Sequence, residues 1–171
     1  AEKCAIEINS FSKNAGFTGV RLGWTIVPEG LECDNAEPGT IHRLWNRRQC
    51  TYFNGASNVA QAGGIAALSE EGRKECKGLV DYYLGNAKII KEGLEKAGLE
   101  CFGGVNSPYV WAKCPNGMSS WEFFDFLLDK AHVVVTPGSG FGASGEGYVR
   151  VSSYGHRENV EKAVKSIVEN L

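Results

Sequence analysis

The sequence predicts an α/β fold, and three observations carry that expectation. Apolar runs of strand length alternate with longer stretches of helical periodicity, most clearly after residue 57. Glycine, proline, asparagine and aspartate cluster between these runs, where the chain must turn. A hydrophobic fraction of 43% in 171 residues suffices for one ordinary core, or for one core and part of another.

Taken in order, residues 4–8 alternate apolar and polar side chains, which predicts a strand whose sheet neighbours come from elsewhere. Residues 22–27 predict a second strand, closed by Pro28 and followed by a polar loop to about Gly39. Ile41, Leu44 and Trp45 then recur at helical spacing behind Pro38 and Thr40, predicting a helix over 40–52, with a break at 53–56. A helix is expected from an N-cap at Ser57 through Leu68, and another over 71–97, closed by Gly98. The second carries Leu79, Tyr82, Tyr83, Ala87, Ile90 and Leu94 on one stripe.

Beyond Gly98 the pattern predicts strands over 99–102 and 109–113, a helix over 120–131, and strands over 133–136 and 148–152. An amphipathic helix over 156–170 follows, with Val160, Ala163, Val164, Ile167 and Val168 inward. Because two strands cannot make a domain alone, residues 1–56 are expected to be the trailing part of a larger domain. Residues 57–171 are expected to form a smaller α/β domain with its own core. Trp24, Trp111 and Trp121 are expected in core positions.

A formal charge of −2, with Arg47-Arg48 as the only arginine doublet, argues against a nucleic-acid partner. No apolar run approaches the roughly 20 residues of a membrane helix, and the first residues do not read as a leader. A cytoplasmic protein is expected, with a plastid as the other compartment. The six cysteines show no C-x-x-C and no histidine at ligand spacing. They are expected to be reduced thiols serving as small apolar residues, with no metal site.

Residues 140–145 satisfy G-x-G-x-x-G, but that fingerprint must open a helix, and here it leads into the strand over 148–152. A mobile loop near a substrate is the better reading. Neither a G-x-x-x-x-G-K-[ST] nor an H-E-x-x-H motif occurs.

The segment with most chemistry spans residues 10–24, Ser-Phe-Ser-Lys-Asn-Ala-Gly-Phe-Thr-Gly-Val-Arg-Leu-Gly-Trp. Hydroxyls from Ser10 and Ser12 and the guanidinium fork of Arg21 suit a phosphate. Lys13 could attack an aldehyde in a site that disfavours its ammonium form. Gly16, Gly19 and Gly23 let the backbone bend tightly. On residues alone, a simple anion-binding turn explains the segment as well.

The spacing of its serines, lysine, glycines and arginine resembles the lysine signature of the class I and II, fold-type I pyridoxal-phosphate aminotransferases. The resemblance continues through residues 5–28, 53–58, 61–64, 108–111, 136–142 and 145–152, nearly the whole chain. It implies the C-terminal part of such an enzyme: the small α/β domain plus the last strands of the large cofactor domain. It implies pyridoxal 5'-phosphate as cofactor and Lys13 as the Schiff-base lysine, carrying a proton between substrate Cα and cofactor C4′. Ser10, Ser12, Lys13, Arg21 and Asn54 would bind the cofactor, and Arg150 and Asn54 the substrate, with Asn54 reaching into the partner subunit of a homodimer.

Amino acids and 2-oxo acids are the implied substrates. The quoted segments look like the branch that exchanges an amino group between LL-diaminopimelate or tetrahydrodipicolinate and glutamate or 2-oxoglutarate, in lysine biosynthesis. Another aminotransferase, for aspartate or aromatic amino acids, is an alternative, as is a non-catalytic folded module. Family members are about twice as long or more. The glycine-containing phosphate turn, the asparagine and tyrosine at the cofactor's phenolic oxygen, and the aspartate at its ring nitrogen have no counterpart here. The chain is therefore expected to be a C-terminal portion that does not transaminate alone.

Overall fold

In the computed structural model, which describes residues 3–171, the chain divides into two compact units, Ala1–Val80 and Asp81–Leu171. In the first, β1 (Glu7–Ser10) and β2 (Gly23–Ile26) pair antiparallel, Glu7 opposite Ile26 and Ser10 opposite Gly23. The strand expected over 4–8 thus begins later, and Cys4 lies in a turn. Extending the register would set Ala5 against Pro28, which has no N–H to donate.

Four helices follow the first strand: α1 (Phe11–Asn14), α2 (Thr40–Tyr52), α3 (Asn58–Leu68) and α4 (Glu70–Lys96), the last ending in the second unit. Ser69 alone separates α3 from α4; its hydroxyl donates to Ala66 O (2.7 Å) and accepts from Gly72 N–H (3.0 Å). A side chain at Gly64 would stand 2.6 Å from Leu22 Cδ2, so the absent Cβ is what lets Leu22 lie against α3, with the Phe11 ring beside it at 3.6 Å. Buried apolar side chains in this unit are few: Phe11, Val27, Leu31 and Ala60. The stripe on α2 finds no core; the helix has no buried residue and Leu44 is 60% exposed.

The second unit holds an antiparallel sheet in the order β3 (Cys101–Gly103), β4 (Tyr109–Lys113), β6 (Tyr148–Ser152), β5 (Thr136–Pro137). Alternation along β4 and β6 sends Val110, Ala112 and Val149 into a core with Ile90 and Leu94 of α4, Phe123 of α5 (Ser120–Phe126) and Ile167 of α6 (Arg157–Asn170). It leaves Tyr109, Trp111, Tyr148 and Arg150 for the opposite face.

Several sequence expectations change here. The strand over 99–102 moves to Cys101–Gly103. The helix over 120–131 is α-helical only to Phe126 and finishes as a π-helical turn, Leu127–Ala131. His132 ends that turn in the left-handed region (φ +56°), so of the strand expected over 133–136 only Thr136 pairs with β6, together with Pro137, and Val134 is 72% exposed. Trp121 lies on the outer side of α5, 59% exposed, rather than in the core. Cys4, Cys33 and Cys50 are exposed. Cys76 and Cys101 are half-buried and Cys114 buried, and burial pushes the Cys101 and Cys114 thiols up to about 11, with Glu95 adding to the effect at Cys101.

Gly93 is buried on α4, where an added Cβ would run into Val164 of α6. Helix propensity alone would make Gly93→Ala stabilising by roughly 1 kcal/mol. Overpacking against a stiff β-branched side chain costs about 1–3 kcal/mol, so the variant is expected to melt below the parent in a thermal scan. A melting temperature at or above the parent's would show that α6 yields freely.

Candidate active site

The lysine turn is built around one buried aromatic. Phe11 is 6% exposed and packs on Phe17 (5.6 Å between centroids) and Trp24 (4.6 Å). With Phe11 anchored, the short α1 turns its polar residues outward, leaving Ser10 and Lys13 exposed and Ser12 half-buried. Ser10 caps the turn: its hydroxyl accepts from Ser12 N–H (3.1 Å) and donates to Ser12 Oγ (2.9 Å). Thr18 Oγ1 donates to Ser12 O (3.0 Å), and Arg21 Nη1 donates to Thr18 O (2.8 Å). Arg21 holds φ +66°, a region a non-glycine residue enters only when its surroundings impose it. The structure thus brings Ser10, Ser12, Lys13 and Arg21 together on one loop. Two hydroxyls 2.9 Å apart and a guanidinium on the same turn form a donor set that fits a phosphate group.

Asn54 follows α2 in the break before Gly55 (φ +99°) and is exposed. Its neighbours Phe53 and Gly55 line a cavity of about 540 Å³ together with Asn9, Gly23, Trp24 and Trp45. Neither Lys13 nor Arg21 lines that cavity.

Arg150 belongs to the second unit, on β6 between Trp111 of β4 and Thr136 of β5. Its guanidinium carbon lies 4.4 Å from the centre of the Tyr109 ring and 4.5 Å from that of Phe141. Its Nε is buried with no hydrogen-bond partner. A buried guanidinium N–H left unpaired is costly.

Rings extend from this guanidinium in both directions. Tyr109 packs on Tyr154 (5.7 Å), which packs on Tyr83 (4.8 Å); Phe141 packs on Trp111 (5.4 Å), then come Tyr148 (6.2 Å) and Phe102 (6.3 Å). Every one of these contacts is tilted between 62° and 71°, or 76° for Trp111 with Tyr148, the edge-to-face range that ring quadrupoles favour. Burial, and after it the Tyr109 hydroxyl, holds the Tyr154 phenol well above its usual range.

The segment expected as a mobile loop forms two 3-10 turns, Gly138–Phe141 and Ala143–Gly145, with its far end tied to α5. Glu146 accepts from Ser120 N–H (2.7 Å) and Gly147 N–H (3.1 Å), while Ser120 Oγ donates to Gly145 O (3.3 Å). The Ser120 amide, then that of Gly147, holds the Glu146 carboxyl below its ordinary 4.5. Glu122 is lowered likewise by the Ser119 backbone amide and then the Ser119 hydroxyl, in a capping box. A carboxyl depressed by folding stabilises above its unfolded value, and that contribution fades as pH falls through the folded value. Glu146→Gln is therefore expected to melt below the parent at neutral pH, with the gap closing below pH 4.5. A gap that stayed constant across a pH series of thermal scans would remove charge from the account.

Sequence reasoning missed Tyr109 and Phe141 as companions of Arg150. A signal existed, since Tyr109 and Arg150 share a sheet face by alternation, but the pairing of β4 with β6 was needed to set them side by side. Among the described residues no cluster of histidine, cysteine and acidic side chains could hold a metal, and no helix is long and apolar enough to cross a membrane.

The family model described as aminotransferase class I and II matches residues 1–167. The chain is 57% identical over 170 residues to an LL-diaminopimelate aminotransferase of Prochlorococcus marinus, covering 99% of this chain and 42% of that protein. The structure is similar to that of the L,L-diaminopimelate aminotransferase from Chlamydomonas reinhardtii, with TM-score 0.88 and 49% identity over 99% of this chain and 41% of the other. It is also similar to an aromatic aminotransferase from Pyrococcus horikoshii, with TM-score 0.77 and 27% identity over 96% of this chain and 42% of that one. The chain thus spans about two-fifths of the length of these relatives.

Proposed function

The chain belongs to the class I and II aminotransferase family, and from that premise we propose that it carries the lysine, phosphate and carboxylate sites of an aminotransferase acting on LL-diaminopimelate. The amino group would pass between LL-diaminopimelate or tetrahydrodipicolinate and glutamate or 2-oxoglutarate, in lysine biosynthesis. The observation that carries this reading is the lysine turn, where a buried Phe11 presents Ser10, Ser12 and Lys13 outward beside Arg21. The two diaminopimelate aminotransferases it is similar to support the choice of substrate.

The family depends on pyridoxal 5'-phosphate, which when bound supplies an electron sink for charge developing at the substrate carbon. Ser10 Oγ, Ser12 Oγ and the Arg21 guanidinium would hold its phosphate. Lys13 Nζ would hold its aldehyde carbon, then carry the proton between substrate Cα and C4′. Arg150 would grip the substrate α-carboxylate, giving its buried Nε the acceptor it lacks.

In this reading residues 1–56 belong to the cofactor domain and 57–171 to the small domain. Asn54 contributes to cofactor and substrate binding across a homodimer, and the enzyme works in the cytoplasm or a plastid. The test is reduction with borohydride in the presence of pyridoxal phosphate, followed by peptide mass mapping. An adduct on Lys13 is expected; an adduct confined to any other lysine would overturn the assignment. Amino-donor preference separates a diaminopimelate enzyme from an aspartate or aromatic one.

A further inference from the structure

We infer that Phe141 and Tyr109 are positioning residues for carboxylate recognition, holding the Arg150 guanidinium against two ring faces so that its N–H groups are left to a ligand. The inference rests on the reading of Arg150 as the carboxylate-binding arginine.

The geometry comes first. The guanidinium carbon lies over two ring faces, 4.4 Å from the centre of Tyr109 and 4.5 Å from that of Phe141. A guanidinium attracts the negative faces of both rings and offers its N–H groups in its own plane. The ring faces are negative and repel a carboxylate, whereas the N–H fork suits it. Nε, buried and without a partner, belongs to that fork.

Order is the second consequence. A free arginine side chain carries several rotatable bonds, and fixing them opposes binding. Here they are fixed before a ligand arrives. Each ring of the clamp is itself braced, Tyr109 by Tyr154 and Phe141 by Trp111. The two braces differ in strength. Tyr109 sits within the sheet, on β4 next to β6. Phe141 sits on a 3-10 turn whose end is tied by Glu146 and Ser120, and it is itself 49% exposed. Phe141 is therefore the member of the clamp that a substitution can remove without opening the core.

The experiment is calorimetric titration of the whole cofactor-loaded protein with glutarate, which has the carboxylates of 2-oxoglutarate and no reacting carbonyl. Four proteins are compared: parent, Phe141→Leu, Phe141→Tyr and Arg150→Lys. Phe141→Leu should bind glutarate about tenfold more weakly, as expected for loss of one ring contact and its ordering effect. Phe141→Tyr restores the ring face and should bind as the parent does. In steady state, KM for donor and acceptor should rise in Phe141→Leu with kcat nearly unchanged, a split that general loosening of the fold would not give.

If Arg150→Lys binds glutarate like the parent, the reading of Arg150 itself fails. If Arg150→Lys weakens binding while Phe141→Leu does not, that reading stands and the clamp is overturned. Weakening in Phe141→Leu that Phe141→Tyr does not restore also overturns it, because ring shape rather than the ring face would then be at work. Should Phe141→Leu melt far below the parent, Tyr109→Phe and Tyr109→Leu supply the same comparison at the second ring.

Discussion

Lys13→Ala in the whole protein is expected to lose amino transfer by about 10⁴-fold, since the covalent anchor and the proton carrier vanish together. Lys13→Arg should lose as much. It keeps a cation at the same place on the α1 turn, so the pair separates an electrostatic role from a nucleophilic one. Stopped assays of glutamate formation would measure both. Activity retained in Lys13→Arg would mean that Lys13 acts only as a charge beside Ser10 and Ser12.

The second large effect concerns stability. Asn86 is fully buried on α4, where its amide donates to Ser153 O (3.1 Å) and Gly155 O (2.9 Å) and its oxygen accepts from Arg157 Nε (3.0 Å). One side chain thereby joins α4 to the turn between β6 and α6. Arg157 adds its own contacts, with Nη2 donating to Tyr82 O (3.1 Å) and its guanidinium 4.9 Å from the Tyr82 ring. Asn86→Ala strands two carbonyls and a guanidinium N–H at once. The expected loss is about 2–5 kcal/mol, a large share of the roughly 5–15 kcal/mol that holds a domain. Urea unfolding should show a lower midpoint with an unchanged slope. A loss under about 1 kcal/mol would mean that water replaces the amide.

How far the sequence foretells this structure depends on how local each signal is. The helix over 40–52 and the strands over 109–113 and 148–152 are found with the expected bounds, because periodicity and caps are written in consecutive residues. The strand over 133–136 was not legible, since its apolar run, Val133-Val134-Val135, fits a strand by composition. What delays its start is the left-handed turn at His132, which periodicity does not show. The α2 stripe misled in the opposite way: Ile41, Leu44 and Trp45 do share a helix face, yet spacing alone does not say that a core lies beneath it. In the candidate site, Ser10, Ser12, Lys13 and Arg21 were legible as one motif because they lie on one loop. The companions of Arg150 come from strands and turns up to 41 residues away in sequence, and only the sheet register joins them.

The row of rings running from Tyr83 to Phe102 also gives this protein an optical voice. Trp111 stands one ring from the Arg150 guanidinium, edge-on to Phe141. The other tryptophans, Trp24, Trp45 and Trp121, lie outside the row, and with these three replaced by phenylalanine, Trp111 becomes the sole indole emitter. Any event that reseats Phe141 alters the quenching and polarity around that indole. Its emission would then report carboxylate arrival continuously, without a coupled assay.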